Sequence, residues 1–189
     1  MVPLIIPEAI ETDRLILHRL RYEDAEEIFY CYASKPEATK YVSWPTHITL
    51  SDTRTFLNQV ISAWNRNEDY SFGIRLKSDN RFIGSIGMIH NNGNIQFGYI
   101  LGPVYCGRGY ATEACKTIMN LLQTLPVFRI WTFVDAENHA SVKVLQKSGL
   151  IQEALLAKWF RFINQDNELK DCYLFSLPRN PQLTVDILQ

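Results

Sequence analysis

The sequence has few of the residues that build metal centres and disulfide frameworks. No two of its cysteines form a C-x-x-C pair; they stand alone at Cys31, Cys106, Cys115 and Cys172. Scattered cysteines of this kind support neither a zinc site nor a disulfide framework, and metal-ligand spacing is also missing around His18, His47 and His90. We therefore predict no bound metal and a location in the reducing cytoplasm.

Long apolar runs and an excess of charge are also missing. No apolar run approaches the roughly 20 residues of a membrane-spanning helix. The apolar segment 1–10 contains Pro3, Pro7 and Glu8 and lacks the basic start of a signal peptide. The formal net charge of -1 and the pI of about 6.4 provide no basic field that would gather nucleic acid. We therefore expect neither a membrane nor a nucleic-acid partner, and an anionic ligand would need a local positive site.

The composition and length are those of one globular domain. The chain has 189 residues, 47% of them hydrophobic and 21% charged, which is ordinary for a compact protein. No internal repeat or linker interrupts it. We predict a single domain over residues 10–178 and a flexible C-terminal tail over residues 179–189.

Strand and helix patterns alternate in an order that predicts a mixed sheet. Strands are expected at residues 15–20, 70–76, 82–90, 94–101, 128–134, 151–163 and 170–177. Helices are expected at residues 23–34, from residue 51 onward, at 110–125 and at 138–147. The short turns at 77–80 and 91–93 indicate an antiparallel meander. The prediction is an α/β (α+β) fold in which helices cover both faces of the sheet.

One segment joins a strand to a helix through glycines. The strand that ends at Leu101 leads through Gly102, Gly107 and Gly109 into the helix at Tyr110. Glycines let a backbone approach a ligand closely, and the first turn of a helix offers unpaired N–H groups to a phosphate. The segment is neither a P-loop nor a complete G-x-G-x-x-G dinucleotide motif in a parallel βαβ unit. Considered alone, it is equally compatible with an ordinary turn.

The same segment resembles motif A of the GNAT superfamily of N-acetyltransferases, [Q/R]-x-x-G-x-[G/A]. Cys106 stands at the first position, where Gln or Arg is usual, Gly109 at the fourth and Ala111 at the sixth. The segments 11–17, 41–45, 97–101 and 138–150, with Asp171 near the end, resemble further parts of the subgroup that contains ribosomal-protein-alanine N-acetyltransferases. The resemblance covers about residues 10–178 in the expected order. It implies a mostly antiparallel, centrally splayed sheet and transfer of an acetyl group from acetyl-CoA to a primary amine.

The resemblance also implies where acetyl-CoA binds. The pantetheine arm would lie between two splayed strands, and the pyrophosphate would rest on the glycine loop. The residues implied in binding are Tyr99, Ile100, Leu101, Cys106, Gly107, Arg108, Gly109, Tyr110, Ala111, Asn138 and Ser141. Asn138 is also suited to cap the helix that follows it.

The groups that move protons are less well indicated. Many members of the family carry a tyrosine seven residues after the asparagine, where this chain has Leu145. Ser141 and Tyr99 are the candidate proton donors in its place. A glutamate that is frequent in the family's fourth strand is replaced here by Gln96, which cannot take up a proton. The alternative is a chain of water molecules that ends at a base, for which the candidates are Glu113, Asp135 and His139.

Aromatic residues in the loop 40–49 suggest the acceptor site. Tyr41 and Trp44 are candidate substrate-groove residues, although such side chains more often belong to a core. Three functions stay open: acetylation of a protein N-terminus, acetylation of a small amine such as a polyamine, amino acid or drug, and a catalytically silent acyl-CoA-binding module. The sequence is compatible with a monomer or a homodimer.

Overall fold

The computed structural model describes residues 4–178, so the predicted tail at 179–189 lies outside the described residues. The strands are β1 Ala9–Glu11, β2 Leu15–Arg19, β3 Phe72–Leu76, β4 Phe82–Asn91, β5 Asn94–Leu101, β6 Arg129–Asp135, β7 Ile151–Phe162 and β8 Glu168–Ser176. The α-helices are α1 Ala25–Ile28, α2 Pro36–Thr39, α3 Leu50–Asn65, α4 Tyr110–Gln123 and α5 His139–Lys147. Within the described residues, no helix is both long and apolar enough to cross a membrane.

The eight strands form one sheet in the order β1-β2-β3-β4-β5-β6-β8-β7. Neighbouring strands run antiparallel except β5 and β6, which are parallel. That parallel pair is joined at only three positions, from Asn94 opposite Arg129 to Gln96 opposite Trp131. Beyond Gln96 the two strands separate. This gap between β5 and β6, called the splay below, confirms the expected mostly antiparallel and centrally splayed sheet.

Helices cover both faces of the sheet. The larger hydrophobic cluster packs α4 and α5 against one face, called the α4 face, and includes Leu17, Ile74, Phe97, Ile118 and Leu145. The smaller cluster packs the helical segment 25–33 and α3 against the opposite face, called the α1 face, and includes Ile28, Tyr32, Leu57 and Phe82. Alternation along a strand sends successive side chains to opposite faces, so β5 directs Tyr99 to the α4 face and Ile100 to the α1 face.

Local signals account for the helix boundaries. Thr49 and Asp52 form a capping box at the start of α3, in which the Thr49 amide donates to the Asp52 carboxylate at 2.8 Å. Gly149, at φ +89°, follows α5 in the left-handed conformation that glycine adopts most readily. These elements were expected from the sequence, and their ends differ from the predicted ones by one or two residues.

The first helical region differs most from its prediction. A regular helix was expected at residues 23–34, but a 3₁₀ turn, α1 and a π-helical segment, Phe29–Ala33, follow one another there. The amide and hydroxyl of Ser34 both donate to the Phe29 carbonyl, five residues earlier, at 3.1 and 2.7 Å. These bonds favour the wider π turn. Pro36, expected only to end the helix, begins α2, and the short β1 was not predicted.

Candidate active site

The glycine loop, residues 106–111, has a backbone suited to an anion. Gly107 and Gly109 have φ of +76° and +83°, in the left-handed region that side chains disfavour. Gly109 is the N-cap of α4, whose first helical bond runs from the Glu113 amide to the Gly109 carbonyl at 3.0 Å. Within residues 4–178, the amides of residues 107–109 donate no hydrogen bond. Free N–H groups at the positive end of a helix dipole are fitted to a diphosphate.

Arg14 and Glu113 hold this loop in place. The Glu113 carboxylate accepts from the Thr12 hydroxyl at 2.5 Å and from Arg14 Nε at 2.6 Å. Arg14 Nη1 donates to the Arg108 carbonyl at 3.1 Å, and its guanidinium lies 4.6 Å from the centre of the Tyr110 ring. One side chain, that of the residue immediately before β2, therefore fixes both the loop and the first turn of α4.

These contacts of Arg14 with Glu113 and the loop, called the Arg14 clamp below, determine whether Glu113 can accept a proton. Burial would raise the pKa of Glu113, but its hydrogen bonds from Thr12 and Arg14 and the charge of Arg14 lower it below the ordinary value. A carboxylate that is held ionised by an arginine is a poor proton acceptor. The structure therefore gives Glu113 a supporting role, and neither the clamp nor its Arg14 partner was recognised from the sequence, although segment 11–17 was part of the resemblance.

The β5 backbone lines one side of the splay. Tyr99, Ile100 and Leu101 pair with β4 on one edge, and among the described residues no strand pairs with their other edge. An unpaired strand edge is a site where an extended ligand can add as a further strand. These three residues and the glycine loop lie in one continuous segment at the same end of β5, so the structure brings the expected cofactor-binding residues together.

Tyr99 and Ser141 meet on the α4 face of the splay. The Tyr99 hydroxyl donates to Ser141 Oγ at 3.0 Å, which leaves the serine proton free to donate elsewhere. Burial raises the pKa of Tyr99 well above its ordinary value, so the phenol is protonated at neutral pH. Asn138 caps α5 by accepting from the Ser141 amide at 3.2 Å, and this bond sets the position of Ser141.

The other two candidate bases, Asp135 and His139, differ in burial and in hydrogen bonding. Asp135 is buried, and its carboxylate accepts from the Glu137 amide and from Gln165 Nε2, each at 2.9 Å. These bonds give Asp135 a structural task, which is to join the end of β6 to the β7–β8 turn. His139 is exposed at the first position of α5.

A loop with aromatic residues forms a rim on the α1 face. Trp44 is half-buried, with its ring centre 6.4 Å from that of Tyr32 and 5.0 Å from that of His47. Asn164, in the β7–β8 turn, donates to the Trp44 carbonyl at 2.8 Å and so fastens the loop to that turn. Tyr41 is half-buried beside Lys40, whose ammonium lies 4.9 Å from the ring centre.

Two paired glycines, Gly87 and Gly98, leave a strip of backbone without side chains on the α1 face beside the splay, called the bare strip below. Gly98 on β5 lies opposite Gly87 on β4. Gly98 is exposed, and a Cβ built on it would meet nothing within 4 Å. The neighbouring row carries Ser85, whose hydroxyl is 2.8 Å from that of Tyr32. A ligand can therefore reach the splay from this face, whereas α4 and α5 cover the opposite face.

Known proteins are similar to this chain in sequence. A family model described as an acetyltransferase (GNAT) domain matches residues 14–151. An uncharacterized N-acetyltransferase, p20 from Bacillus licheniformis, is 32% identical over 179 residues, covering 90% of this chain and 96% of that protein.

Two solved structures have a similar fold. The ribosomal L7/L12 alpha-N-protein acetyltransferase RimL, in complex with coenzyme A, gives a TM-score of 0.81 at 15% identity and covers 91% of this chain and 98% of its own. Spermidine N-acetyltransferase from Vibrio cholerae, in complex with CoA and spermine, gives a TM-score of 0.75 at 18% identity, with 88% and 96% covered.

Proposed function

Because this chain belongs to the GNAT family of acetyltransferases, we propose that it uses acetyl-CoA to acetylate the N-terminal amine of a protein. The observation that carries the proposal is the splay. Proton-donating hydroxyls lie on its α4 face, where Tyr99 donates to Ser141, and a bare strip at Gly98 lies on its α1 face. A thioester held in the gap would meet an amine from one side and a proton donor on the other.

The described residues fit acetyl-CoA along one path. The free amides at 107–109 and the first turn of α4 would hold the pyrophosphate without a side-chain charge. The unpaired edge of β5 from Tyr99 to Leu101 would bind the pantetheine amides as a strand does. The Arg14 clamp keeps the loop in its binding conformation before the ligand arrives, which lowers the entropy lost on binding.

The Tyr99–Ser141 pair would protonate the leaving thiolate. When the amine nitrogen attacks the thioester carbon, the C–S bond breaks and the sulfur gains a negative charge. Ser141 can give its proton to that sulfur and take one from the Tyr99 hydroxyl, which already points at it. Such a relay replaces the tyrosine acid that Leu145 cannot supply, and proton transfer by a positioned group is worth about 10²- to 10⁴-fold in rate.

The open α1 face favours a peptide as the acceptor. A protein N-terminus needs a groove in which the chain can continue, and Gly98 is exposed without any side chain above it. Charges near the rim are of both signs: Lys170 lies 3.5 Å from the carboxylates of Glu137 and Glu168. These two acids of the rim are therefore paired with a lysine, whereas a polyamine would be expected to select a rim whose acids are unpaired.

The test is acetyl transfer to a panel of acceptors. Release of the CoA thiol would be followed with acetyl-CoA and peptides that begin with alanine or serine, with spermidine, and with free amino acids. We expect the highest kcat/KM with a peptide. Faster transfer to spermidine would replace the peptide by a polyamine, and binding of acetyl-CoA without transfer to any amine would make the chain a silent acyl-CoA-binding module.

A further inference from the structure

Asp69 and Ser71 lie at the far end of the bare strip. Asp69 pairs with Ile89 of β4, and Ile89 pairs in turn with Gln96 of β5. The Ser71 hydroxyl reaches over Gly87, because a Cβ built on that glycine would stand only 2.9 Å from Ser71 Oγ. The two residues therefore share the α1 face with Gly98, and two glycines separate Ser71 from the splay.

The Asp69 carboxylate is bound by one group only. It accepts from the Ser71 hydroxyl at 2.5 Å, and within residues 4–178 it forms no ion pair. Burial raises the pKa of Asp69 to about 6, and the bond from Ser71 opposes that rise only in part. A carboxylate of this kind is ionised at neutral pH and takes up a proton more readily than an ordinary surface acid.

The ionisable side chains that neighbour Asp69 along the chain and on β4 bond to other groups. Arg66 and Glu68, which precede it, are exposed and pair with each other at 2.7 Å. His90, on the neighbouring row of β4, bonds to the Asn67 carbonyl and the Gly93 amide, each at 2.9 Å. Neither Gln96 nor any residue of the bare strip carries a charge. Among the described residues named here, Asp69 is therefore the group on this part of the α1 face that is placed to accept a proton.

The strip offers a path of suitable length. Two strand spacings of about 4.8 Å separate the Ser71 backbone from that of Gly98, so two or three waters would bridge the distance. The surface along the path carries no side chain that would displace them. A proton leaving an amine at the splay could then pass along water to the Ser71 hydroxyl, which passes its own proton to Asp69.

We propose, on the basis of the function proposed above, that the Asp69–Ser71 pair receives the proton lost by the acceptor amine. The nitrogen forms its bond to the acetyl carbon, the C–S bond breaks, and the proton from nitrogen reaches Asp69 on the α1 face. A second proton, from Ser141 on the α4 face, protonates the leaving thiolate and so forms the free thiol of CoA. Asp69 and Ser71 are positioning residues in this scheme, since water lies between them and the amine.

The test compares Asp69→Asn with the wild type across pH. The asparagine keeps the size of the side chain and still accepts from Ser71. We expect kcat/KM for the best amine of the acceptor panel to fall about 100-fold at pH 7.5. We also expect the acidic limb of the wild-type profile, with an apparent pKa near 6, to disappear. Glu68→Gln, which removes the neighbouring exposed charge, should leave both the rate and the limb unchanged.

Two further measurements separate the outcomes. Calorimetric binding of acetyl-CoA should be equal for Asp69→Asn and the wild type, so a loss of binding by the variant would mean a structural role and overturn the inference. Ser71→Ala should lose most of the rate while Ser71→Thr, which keeps the hydroxyl, retains it. If wild-type transfer proceeds but Asp69→Asn keeps both its rate and its acidic limb, the inference is wrong and the proposed function stands. If the wild type transfers to no amine, the proposed function fails first.

Discussion

The two faces of the sheet differ at the place where β5 and β6 separate. On the α4 face, two helices cover the gap, and the polar groups there are fixed by bonds to one another, as in the contact between Tyr99 and Ser141. On the α1 face, Gly98 is exposed, and the Asp69 carboxylate accepts from a single hydroxyl, that of Ser71. Under the proposed function, the covered face holds the cofactor and the open face admits the amine.

The comparison separates two ways of building a site. The proposed cofactor side depends on backbone conformation within one short segment, which includes the positive φ at Gly109 and the start of α4. The proposed acceptor side depends on the pairing of β4 with β5 and on the isolated bridge from Asp69 to β4, which together bring Asp69, Gly87 and Gly98 into neighbouring rows. A change of one backbone position should therefore affect the two sides in different ways.

The largest effect is expected from Gly109→Val. A β-branched residue at φ +83° is strained by about 1–2 kcal/mol, and its Cβ would stand 3.4 Å from Arg14 Nη2, the side chain that fixes the loop proposed to hold the diphosphate. We expect acetyl-CoA affinity, measured by calorimetry, to fall at least about 100-fold. Gly149→Val is the matched control, because Gly149 has a similar φ of +89° but lies at the other end of α5 from Asn138. Equal losses of affinity in both variants would show that strain, and not the loop, is responsible.

A smaller and more selective effect is expected from Gly98→Val on the open face. Valine favours strands, and the space above Gly98 is free, so the fold should accept it. The side chain would narrow the route by which the amine approaches. We expect kcat/KM for the amine to fall about 10- to 100-fold, since small displacements of reactants have effects of that size, while acetyl-CoA affinity stays within about twofold. An unchanged kcat/KM would mean that the acceptor does not cross this strip.

Ser141→Ala tests the covered face. The amide that Asn138 caps is retained, so α5 should keep its first turn. We expect kcat to fall about tenfold, less than the full 10²- to 10⁴-fold contribution of a positioned donor, because solvent water can supply part of the proton transfer to the thiolate. The affinity for acetyl-CoA should be unchanged. If Tyr99 and Ser141 form one relay, Tyr99→Phe combined with Ser141→Ala should lower kcat no further than the serine change alone. Additive losses would show two independent roles.

The same difference explains how much could be predicted from the sequence. The order of strands and helices and the loop at Gly107 and Gly109 depend on local rules, namely alternation, capping and positive φ, so the segment itself carries the signal. The clamp of Arg14 on Glu113 joins residues 99 positions apart, and no local pattern reports such a contact. The place of Asp69 follows from its pairing with β4, which the predicted turns alone did not fix. The π segment at Phe29–Ala33 follows from the bonds that the hydroxyl and amide of Ser34 donate to one carbonyl.

The last prediction concerns stability instead of activity, and it again tests the open face. Burial holds the pKa of Asp69 at about 6, above its ordinary 3.8, so the folded state binds this proton more tightly than the unfolded chain does. The contribution of Asp69 to stability is therefore fully present below about pH 4 and is lost as pH rises through 6. Asp69→Asn does not titrate, so its stability relative to the wild type should rise by roughly 2 to 3 kcal/mol between pH 4 and pH 8. Thermal unfolding would show this as a Tm difference that grows by several degrees over that range. A difference that stays constant with pH would mean that Asp69 ionises at its ordinary pKa, and the open face would then hold no proton acceptor tuned near neutrality.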